Sequence, residues 1–238
     1  MIKRSDLTFL LFTCAMLSPL VLMNDPAGAL KAVSLSFPLL ASFIKFAILA
    51  TYGEVLGLRI VTGHYPLATF GVLPKAVVWG VFGICIKLCF VIYVSGVPVA
   101  LSLLGMDHAA EALNGPLSLD RFLVAFAISV AMNLTFGVWL MTFHKITDLH
   151  ISSHQGRLIC LVRPLYFGKI LTEINWHRLW SFVLKKTIPL FWIPCHTLTF
   201  LLPSEYRVLF AALLGIVLGL ILAFGSRKPI TGTHVPPV

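Results

Sequence analysis

The sequence predicts an all-α fold, a polytopic transmembrane helical bundle with about six spans and both termini on the cytoplasmic or matrix side. Of the 238 residues, 58% are hydrophobic and only 11% are charged, and the mean hydropathy is +0.95. Soluble domains average about 25% charged residues. The apolar runs have the length of transmembrane helices, about 17–25 residues, and the sequence lacks the alternating segments of roughly ten residues that build membrane β-barrels.

Six apolar segments are expected to cross the membrane, with Gly, Pro and Asn between them. The spans are predicted at about 7–23, 34–56, 72–95, 119–143, 179–202 and 206–225. The third segment continues to Gly105, either as one tilted helix or as a span followed by an interfacial piece. Residues 1–228 then form a single transmembrane domain, and residues 229–238 are expected to be a disordered tail.

The first segment has a second interpretation. A basic start, an apolar run and the small residues at 27–29 are also typical of a cleavable signal peptide. The sequence therefore leaves open whether residues 1–29 are a retained helix or a cleaved signal.

Basic residues predict the orientation of the bundle. The formal net charge of +9 would suggest nucleic-acid binding in a soluble protein, but in a membrane protein the loop Lys and Arg residues set the topology. Six spans place eleven of them on one side: Lys3, Arg4, Arg59, Lys75, Lys145, Arg157, Arg163, Lys169, Arg178, Arg227 and Lys228. Three lie on the other side: Lys31, Arg121 and Arg207. This split predicts that both termini lie on the cytoplasmic or matrix side, and we expect no nucleic-acid partner.

Two lysines are predicted near the membrane centre. Lys45 and Lys87 lie near the midpoints of the second and third spans, where a lysine costs roughly 2.5–3.5 kcal/mol. One interpretation is a polar interior that favours anions. The other is that each side chain extends toward the headgroups or bonds to backbone carbonyls. Glu54 follows Lys45 by nine residues and therefore falls on the opposite helix face.

The fourth span carries a polar stripe. Asn133, Gly137 and His144 follow i, i+4, i+11 spacing and are expected to face another helix. His144 also begins a segment with two further histidines and Asp148, but the spacing matches no metal motif. His144 and His196 differ too much in depth to bind one haem iron. No catalytic motif is present, so we expect no enzyme, cofactor or metal.

The fifth span contains two prolines that are expected to kink it. Pro189 and Pro194 lie close to His196, and each proline removes a backbone hydrogen bond. The carbonyls released in this way need partners inside a membrane. The candidates are Thr197, Thr199 and a neighbouring lysine.

The fifth span and the following turn also carry a spaced pattern. Its members are Trp192, His196, Thr199, Phe200, Pro203 and Arg207. The pattern resembles the signature of the Mpv17/PMP22 family of small integral membrane proteins, which has Trp, Gln, Asn and Phe at the first four offsets and then Pro and Arg. Gly53-Glu54, and Pro74 with Trp79, resemble two further blocks of that family.

The chain departs from the family at several points. Glu, His and Thr stand where the family has Asp, Gln and Asn, the step from Phe to Pro is one residue shorter, and the first span has no counterpart. The resemblance implies a helical-bundle protein of an organellar or bacterial inner membrane. Family members are thought to act as pores or to support small-molecule homeostasis.

Two functions follow as expectations. The first is a channel or transporter for small, anionic solutes, with a polar interior lined by six residues: Lys45, Glu54, Lys87, Asn133, His144 and His196. The second is a non-transporting subunit or assembly factor, held through the GxxxG patterns at 53–57 and 215–219 and the basic loop 144–178. The expected partners are the lipid bilayer, a small anionic solute, and either a second copy or another membrane protein.

Overall fold

A computed structural model describes residues 3–65 and 67–225. The secondary structure of this part is entirely helical. The α-helices are α1 (Arg4–Leu22), α2 (Pro26–Ser36), α3 (Pro38–Thr62), α4 (Leu67–Phe70), α5 (Val72–Leu103), α6 (Ala109–Asn114), α7 (Leu119–Met132), α8 (Val138–Ser153), α9 (Phe167–Glu173), α10 (Trp176–Arg178), α11 (Ile193–Leu201) and α12 (Ser204–Gly225). Two π-helical segments, Asn133–Gly137 and Leu179–Trp192, join their neighbours without a break. The predicted tail, residues 229–238, lies outside the described residues.

The all-α prediction is confirmed, and the membrane prediction is supported by helix length. Four helical stretches within the described residues are long and apolar enough to cross a membrane: Pro38–Thr62, Val72–Leu103, Leu119–Ser153 and Ser204–Ile221. A helix of about 20 residues spans the roughly 30 Å hydrocarbon core. These four helices are compatible with a membrane protein.

The second predicted span is divided in the structure. Residues 34–56 were expected to form one helix, but α2 ends at Ser36 and α3 begins at Pro38. The Asp25 side chain caps α2 by accepting a hydrogen bond of 2.8 Å from the Gly28 N–H, and Pro26 occupies the first turn. Both features favour a helix start where a loop was predicted.

Two other predicted segments are longer than expected. α5 continues without a break from Val72 to Leu103 and includes the buried Pro98, so the third span is one helix. The loop expected from residue 144 is helical as far as Ser153. Its polar side chains bind partners on α3 and α5, as described below, and this tertiary contact explains why the helix extends past the apolar run.

Close glycine contacts fix how α3 packs. A Cβ atom on Gly83 of α5 would lie 2.5 Å from the Ser42 carbonyl oxygen of α3. A Cβ atom on Gly53 would lie 2.9 Å from Ile216 Cα of α12. Small residues of this kind let helix backbones approach closely. The contacts run antiparallel for α3 and α5 and parallel for α3 and α12.

A second helix pair completes the bundle. Ser129 Oγ on α7 donates a 2.7 Å hydrogen bond to the Ile193 carbonyl, and Arg121 Nη2 donates one of 2.9 Å to the Leu201 carbonyl. These contacts place α7 and α11 antiparallel. Phe200 is fully buried between them and α5. The helices therefore alternate in direction along the chain from α3 to α12.

Charged residues separate to the two ends of the bundle. The Arg59 guanidinium lies 2.6 Å from Asp6 Oδ2, which joins the start of α1 to the end of α3. Lys31 Nζ lies 2.8 Å from Glu205 Oε1, which joins α2 to the start of α12. We call the end of the bundle that holds the Asp6–Arg59 pair the Arg59 end. Lys31 and Arg59, which were predicted for opposite membrane sides, thus lie at opposite ends of α3.

Candidate functional site

A cavity of about 300 Å³ lies among α3, α5, α8, α11, α12 and the two π-helical segments. Most of its wall is apolar and aromatic, with Phe46, Ile86, Phe90, Leu140 and Leu218 among the lining residues. Its polar lining consists of Glu54, Asn133, His144, Lys145, Thr187 and His196, together with the indoles of Trp79 and Trp192. We call this space the central cavity. Mostly apolar walls with a few polar groups are typical of small-molecule sites.

A charged cluster forms the part of the cavity wall nearest the Arg59 end. We use the name ionic cluster for Glu54, Lys75, His144 and Asp148. Lys75 Nζ lies 2.7 Å from Glu54 Oε2 and also contacts Asp148 Oδ1. His144 Nε2 lies 2.8 Å from Glu54 Oε1. The Trp79 indole N–H donates a 2.8 Å hydrogen bond to the same oxygen.

Helical spacing explains how the sequence assembles this cluster. Lys75 and Trp79 are four residues apart on α5, and His144 and Asp148 are four residues apart on α8. Residues at this spacing share one helix face. Both faces meet Glu54, which α3 presents between them. Lys75 is only 6% exposed, and a charge at such a position requires partners of this kind.

The same cluster contains a set of metal-type ligands. Donor atoms of Glu54, His144 and Asp148 lie within 4.8 Å of one another. However, the Lys75 ammonium contacts both carboxylates and offsets one of their two negative charges, and His144 Nε2 lies 2.8 Å from Glu54 Oε1. Each of these three side chains therefore has a protein partner, and we assign the group as an internal ion-pair network.

A neutral polar pair lies in the middle of the central cavity wall. His196 Nδ1 is 3.1 Å from Asn133 Nδ2 and 3.2 Å from Asn133 Oδ1. The Asn133 amide also donates a hydrogen bond of 2.8 Å to the Ser129 carbonyl. The His196 ring stacks on Trp192 with centroids 5.2 Å apart. The first π-helical segment begins at Asn133, and such segments often occur at functional sites.

The structure divides the six residues predicted to line a polar interior. Four of them, Glu54, Asn133, His144 and His196, line the central cavity. Lys45 and Lys87 are absent from that lining and instead share a separate pocket of about 40 Å³. The two lysines are therefore neighbours, but on a different face from the one used by Glu54.

The patterned residues of the fifth predicted span occupy the long π-helical segment, α11 and the following turn. Pro189 lies inside the π-helical segment and Pro194 lies in the first turn of α11. Thr199 Oγ1 donates a hydrogen bond of 2.9 Å to the Cys195 carbonyl. After the turn at Pro203, Arg207 Nε donates a hydrogen bond of 2.9 Å to the Leu202 carbonyl.

The hydroxyls of Thr197 and Thr199 were expected to bind carbonyls that the prolines release, but each binds the carbonyl four residues before itself. Thr197 Oγ1 donates a 2.8 Å hydrogen bond to the Ile193 carbonyl, which Ser129 also contacts. Thr187 Oγ1 donates 3.1 Å to the Phe182 carbonyl, five residues earlier. This wider turn is a π-helical feature, so the chain around Pro189 is accommodated by a change of helix type.

Sequence reasoning missed Lys75 and Asp148 as members of the site. Lys75 was counted with the loop charges, and Asp148 was assigned to a loop. Their i, i+4 partners Trp79 and His144 are the signal that could have identified them, because each pair places an aromatic or imidazole ring beside a charge on one helix face.

Comparisons with protein-family models, curated proteins and solved structures found no match. The relation to the Mpv17/PMP22 family therefore stays a prediction from the residues quoted above.

Proposed function

We propose that the chain is an integral membrane channel- or transporter-like protein that passes small solutes, anions among them, through the central cavity. It crosses the membrane about six times, with the Arg59 end on the cytoplasmic or matrix side. The alternating helix directions and the separation of basic residues support this topology. An inner membrane, bacterial or organellar, is the proposed location.

The single observation that carries the proposal is the central cavity itself. About 300 Å³ of space among the helices is large enough for a small solute, and binding sites are typically clefts or cavities of this size or larger with mostly apolar walls. Its walls combine apolar surface with hydrogen-bonding groups at two levels, at Glu54 and His144 and at Asn133 and His196.

The charges of the cavity support a preference for neutral or anionic solutes. Glu54 is the one acidic residue among the described lining residues, and it is paired with Lys75 at 2.7 Å. Lys145 is the only lysine or arginine among the described lining residues. An unpaired lysine at a pathway attracts anions.

Two glycines provide a direct test. Gly215 lines the central cavity, and a Cβ atom added there would meet no other atom within 4 Å. A Gly215→Phe side chain therefore enters the cavity without a backbone clash. Gly96 on α5 is equally open but lies outside the cavity lining, so Gly96→Phe is the matched control.

The experiment measures solute flux in proteoliposomes. Vesicles with the unsubstituted protein should take up chloride and glycerol faster than empty vesicles. Gly215→Phe should reduce the rate nearly to that of empty vesicles, and Gly96→Phe should leave it unchanged. Flux equal to that of empty vesicles, or Gly215→Phe flux equal to the unsubstituted rate, contradicts the proposal.

The alternative is a non-transporting subunit or assembly factor. Gly53 packs against α12 of the same chain, so this GxxxG face is already used. The segment after α8 supports a partner better, because its exposed large side chains include Val162, Tyr166 and Trp180. A stoichiometric membrane partner that copurifies with the chain, together with no flux from the chain alone, would favour this function.

A further inference from the structure

The second pocket, which we call the Lys45–Lys87 pocket, lies where α2, α3, α5 and the start of α12 meet. It has a volume of about 40 Å³. Its polar lining consists of Ser34, Ser42, Lys45, Lys87, Ser204 and Glu205. A polar site needs only about 10–15 Å³ of such space to hold one water molecule. The pocket therefore has room for a small polyatomic group.

The pocket carries an excess of positive charge. Lys45 Nζ donates a 2.6 Å hydrogen bond to Ser34 Oγ, which holds the ammonium inside the pocket. Lys87 is close enough to repel it. The ion pairs of the described residues include neither of these lysines. The one acidic lining residue, Glu205, is already paired with Lys31 at 2.8 Å.

The proximity of the Lys45 and Lys87 ammonium groups is electrostatically unfavourable unless another group compensates for it. The pocket and the ion pair beside it contain three lysines, Lys31, Lys45 and Lys87, and one glutamate, Glu205, so the local formal charge is +2 when all four groups are ionised. Each half-buried ammonium raises the free energy of the other, at a cost that bound anions can remove. Lys45 could have turned away from Lys87, but its ammonium is bonded to Ser34 on the pocket side.

The donors suit a phosphate group. Lysines bind phosphate as point charges, and two of them can approach different oxygens of one group. The hydroxyl of Ser204, the first residue of α12, donates a 3.3 Å hydrogen bond to Glu205 Oε2, which a phosphate oxygen would replace. The start of a helix also has unpaired backbone N–H groups. We propose that the Lys45–Lys87 pocket binds a phosphate group, carried either by an inorganic ion or by a lipid headgroup. This inference does not depend on transport through the central cavity.

Thermal unfolding in a neutral detergent tests the proposal with two probes. Sodium phosphate tests the free ion, and phosphatidylglycerol tests the headgroup, with sodium chloride at equal ionic strength as the reference. At least one of the two probes should raise the Tm of the unsubstituted protein, and the increase should saturate as the probe concentration rises. The Lys45→Gln, Lys87→Gln double variant should weaken the apparent affinity at least about tenfold.

A matched variant controls for loss of charge. Lys185 and Lys186 are exposed and lie outside the pocket, so Lys185→Gln, Lys186→Gln should keep the unsubstituted affinity. A Glu205→Gln variant removes the acidic lining group and should increase the affinity. This opposite result keeps the proposal testable if the double variant at Lys45 and Lys87 does not fold.

The outcomes distinguish a free phosphate ion from a lipid headgroup and test the proposal. Saturation by inorganic phosphate assigns a site for the free ion, and saturation by phosphatidylglycerol alone assigns a headgroup site. Three results would overturn the proposal: an equal effect of chloride, equal loss in the Lys185 and Lys186 variant, or unchanged or weaker binding in Glu205→Gln.

Discussion

Asn133 and His196, which are 63 positions apart, meet in the middle of the bundle with side-chain nitrogens 3.1 Å apart. Asn133 is 2% exposed and His196 is 8% exposed. Their contact joins α11 to the helix that carries α7 and α8. Because both groups also line the central cavity, the pair connects the packing of the bundle with its proposed function.

The Asn133–His196 contact should appear as a coupling free energy. Asn133→Leu removes a partner of the buried His196 ring, and the loss should lower the free energy of unfolding by about 1–3 kcal/mol. His196→Phe should have a similar effect. The double variant should lose less than the sum, by about 0.5–3 kcal/mol. Chemical denaturation in detergent measures the free energy of unfolding of the unsubstituted protein, the two single variants and the double variant. Strict additivity of the two single losses would argue against the contact.

Loss of Lys75 should be strongly destabilising. Lys75→Met leaves Glu54 and Asp148 without their shared cation in a largely buried site, and removal of one partner from such a network costs about 3–5 kcal/mol. We expect a decrease in Tm of about 10 °C. Lys169→Met is the matched control, because Lys169 is 77% exposed and lies 4.0 Å from Glu173. A Tm decrease no larger than that of the control would disprove the assigned role.

The close packing of α3 on α12 predicts opposite effects at two glycines. Gly53→Ala places a Cβ atom 2.9 Å from Ile216 Cα, and relief of this clash should cost about 1–3 kcal/mol. Gly96→Ala meets open space and should stabilise the helix by up to about 1 kcal/mol. Thermal unfolding compares the two, and a Gly53→Ala protein as stable as Gly96→Ala would rule out the α3–α12 contact.

The Asp6–Arg59 pair predicts a pH dependence at the Arg59 end. The Arg59 guanidinium holds the pKa of Asp6 well below its usual range. Because this pKa is lower in the folded state, the pair stabilises the protein above the unfolded value of about 4, and the contribution is lost as the pH falls through the folded value. The Tm difference between the unsubstituted protein and Asp6→Asn should therefore be largest above about pH 5 and decrease below about pH 4.

Arg59→Gln provides the control for this pH series. It removes the cation that stabilises ionised Asp6, so the Tm difference between Arg59→Gln and Asp6→Asn should change little with pH. A constant difference between the unsubstituted protein and Asp6→Asn across the range would contradict the assigned pair.

Hydropathy predicted the helices well because membrane helices need long apolar runs. It failed at polar helix ends. Asp148 lies beyond the apolar run of the fourth span, and its inclusion in α8 depends on a contact with Lys75 that no local pattern encodes. α2 was missed because residues 34–56 read as a single apolar run across the break at Phe37.

The sites were only partly predictable. Counting along each span placed Lys45 and Lys87 at similar depth, and they do share a pocket. The nine-residue spacing of Lys45 and Glu54 already indicated opposite faces of α3, whereas the separation of both lysines from His196 depends on how each helix is rotated, which follows from close contacts such as Gly83 against Ser42. Such contacts are a tertiary property, so sequence reasoning combined two sites into one interior.

Quenching of tryptophan fluorescence tests most directly whether the central cavity admits small solutes. Trp79 and Trp192 line it, and Trp139, Trp176 and Trp180 can be replaced with Phe so that only these two emit. In proteoliposomes, added iodide and acrylamide should quench both tryptophans, and Gly215→Phe should reduce the quenching while Gly96→Phe does not. Emission that resists both quenchers, or quenching that Gly215→Phe leaves unchanged, would contradict the central cavity as the solute pathway.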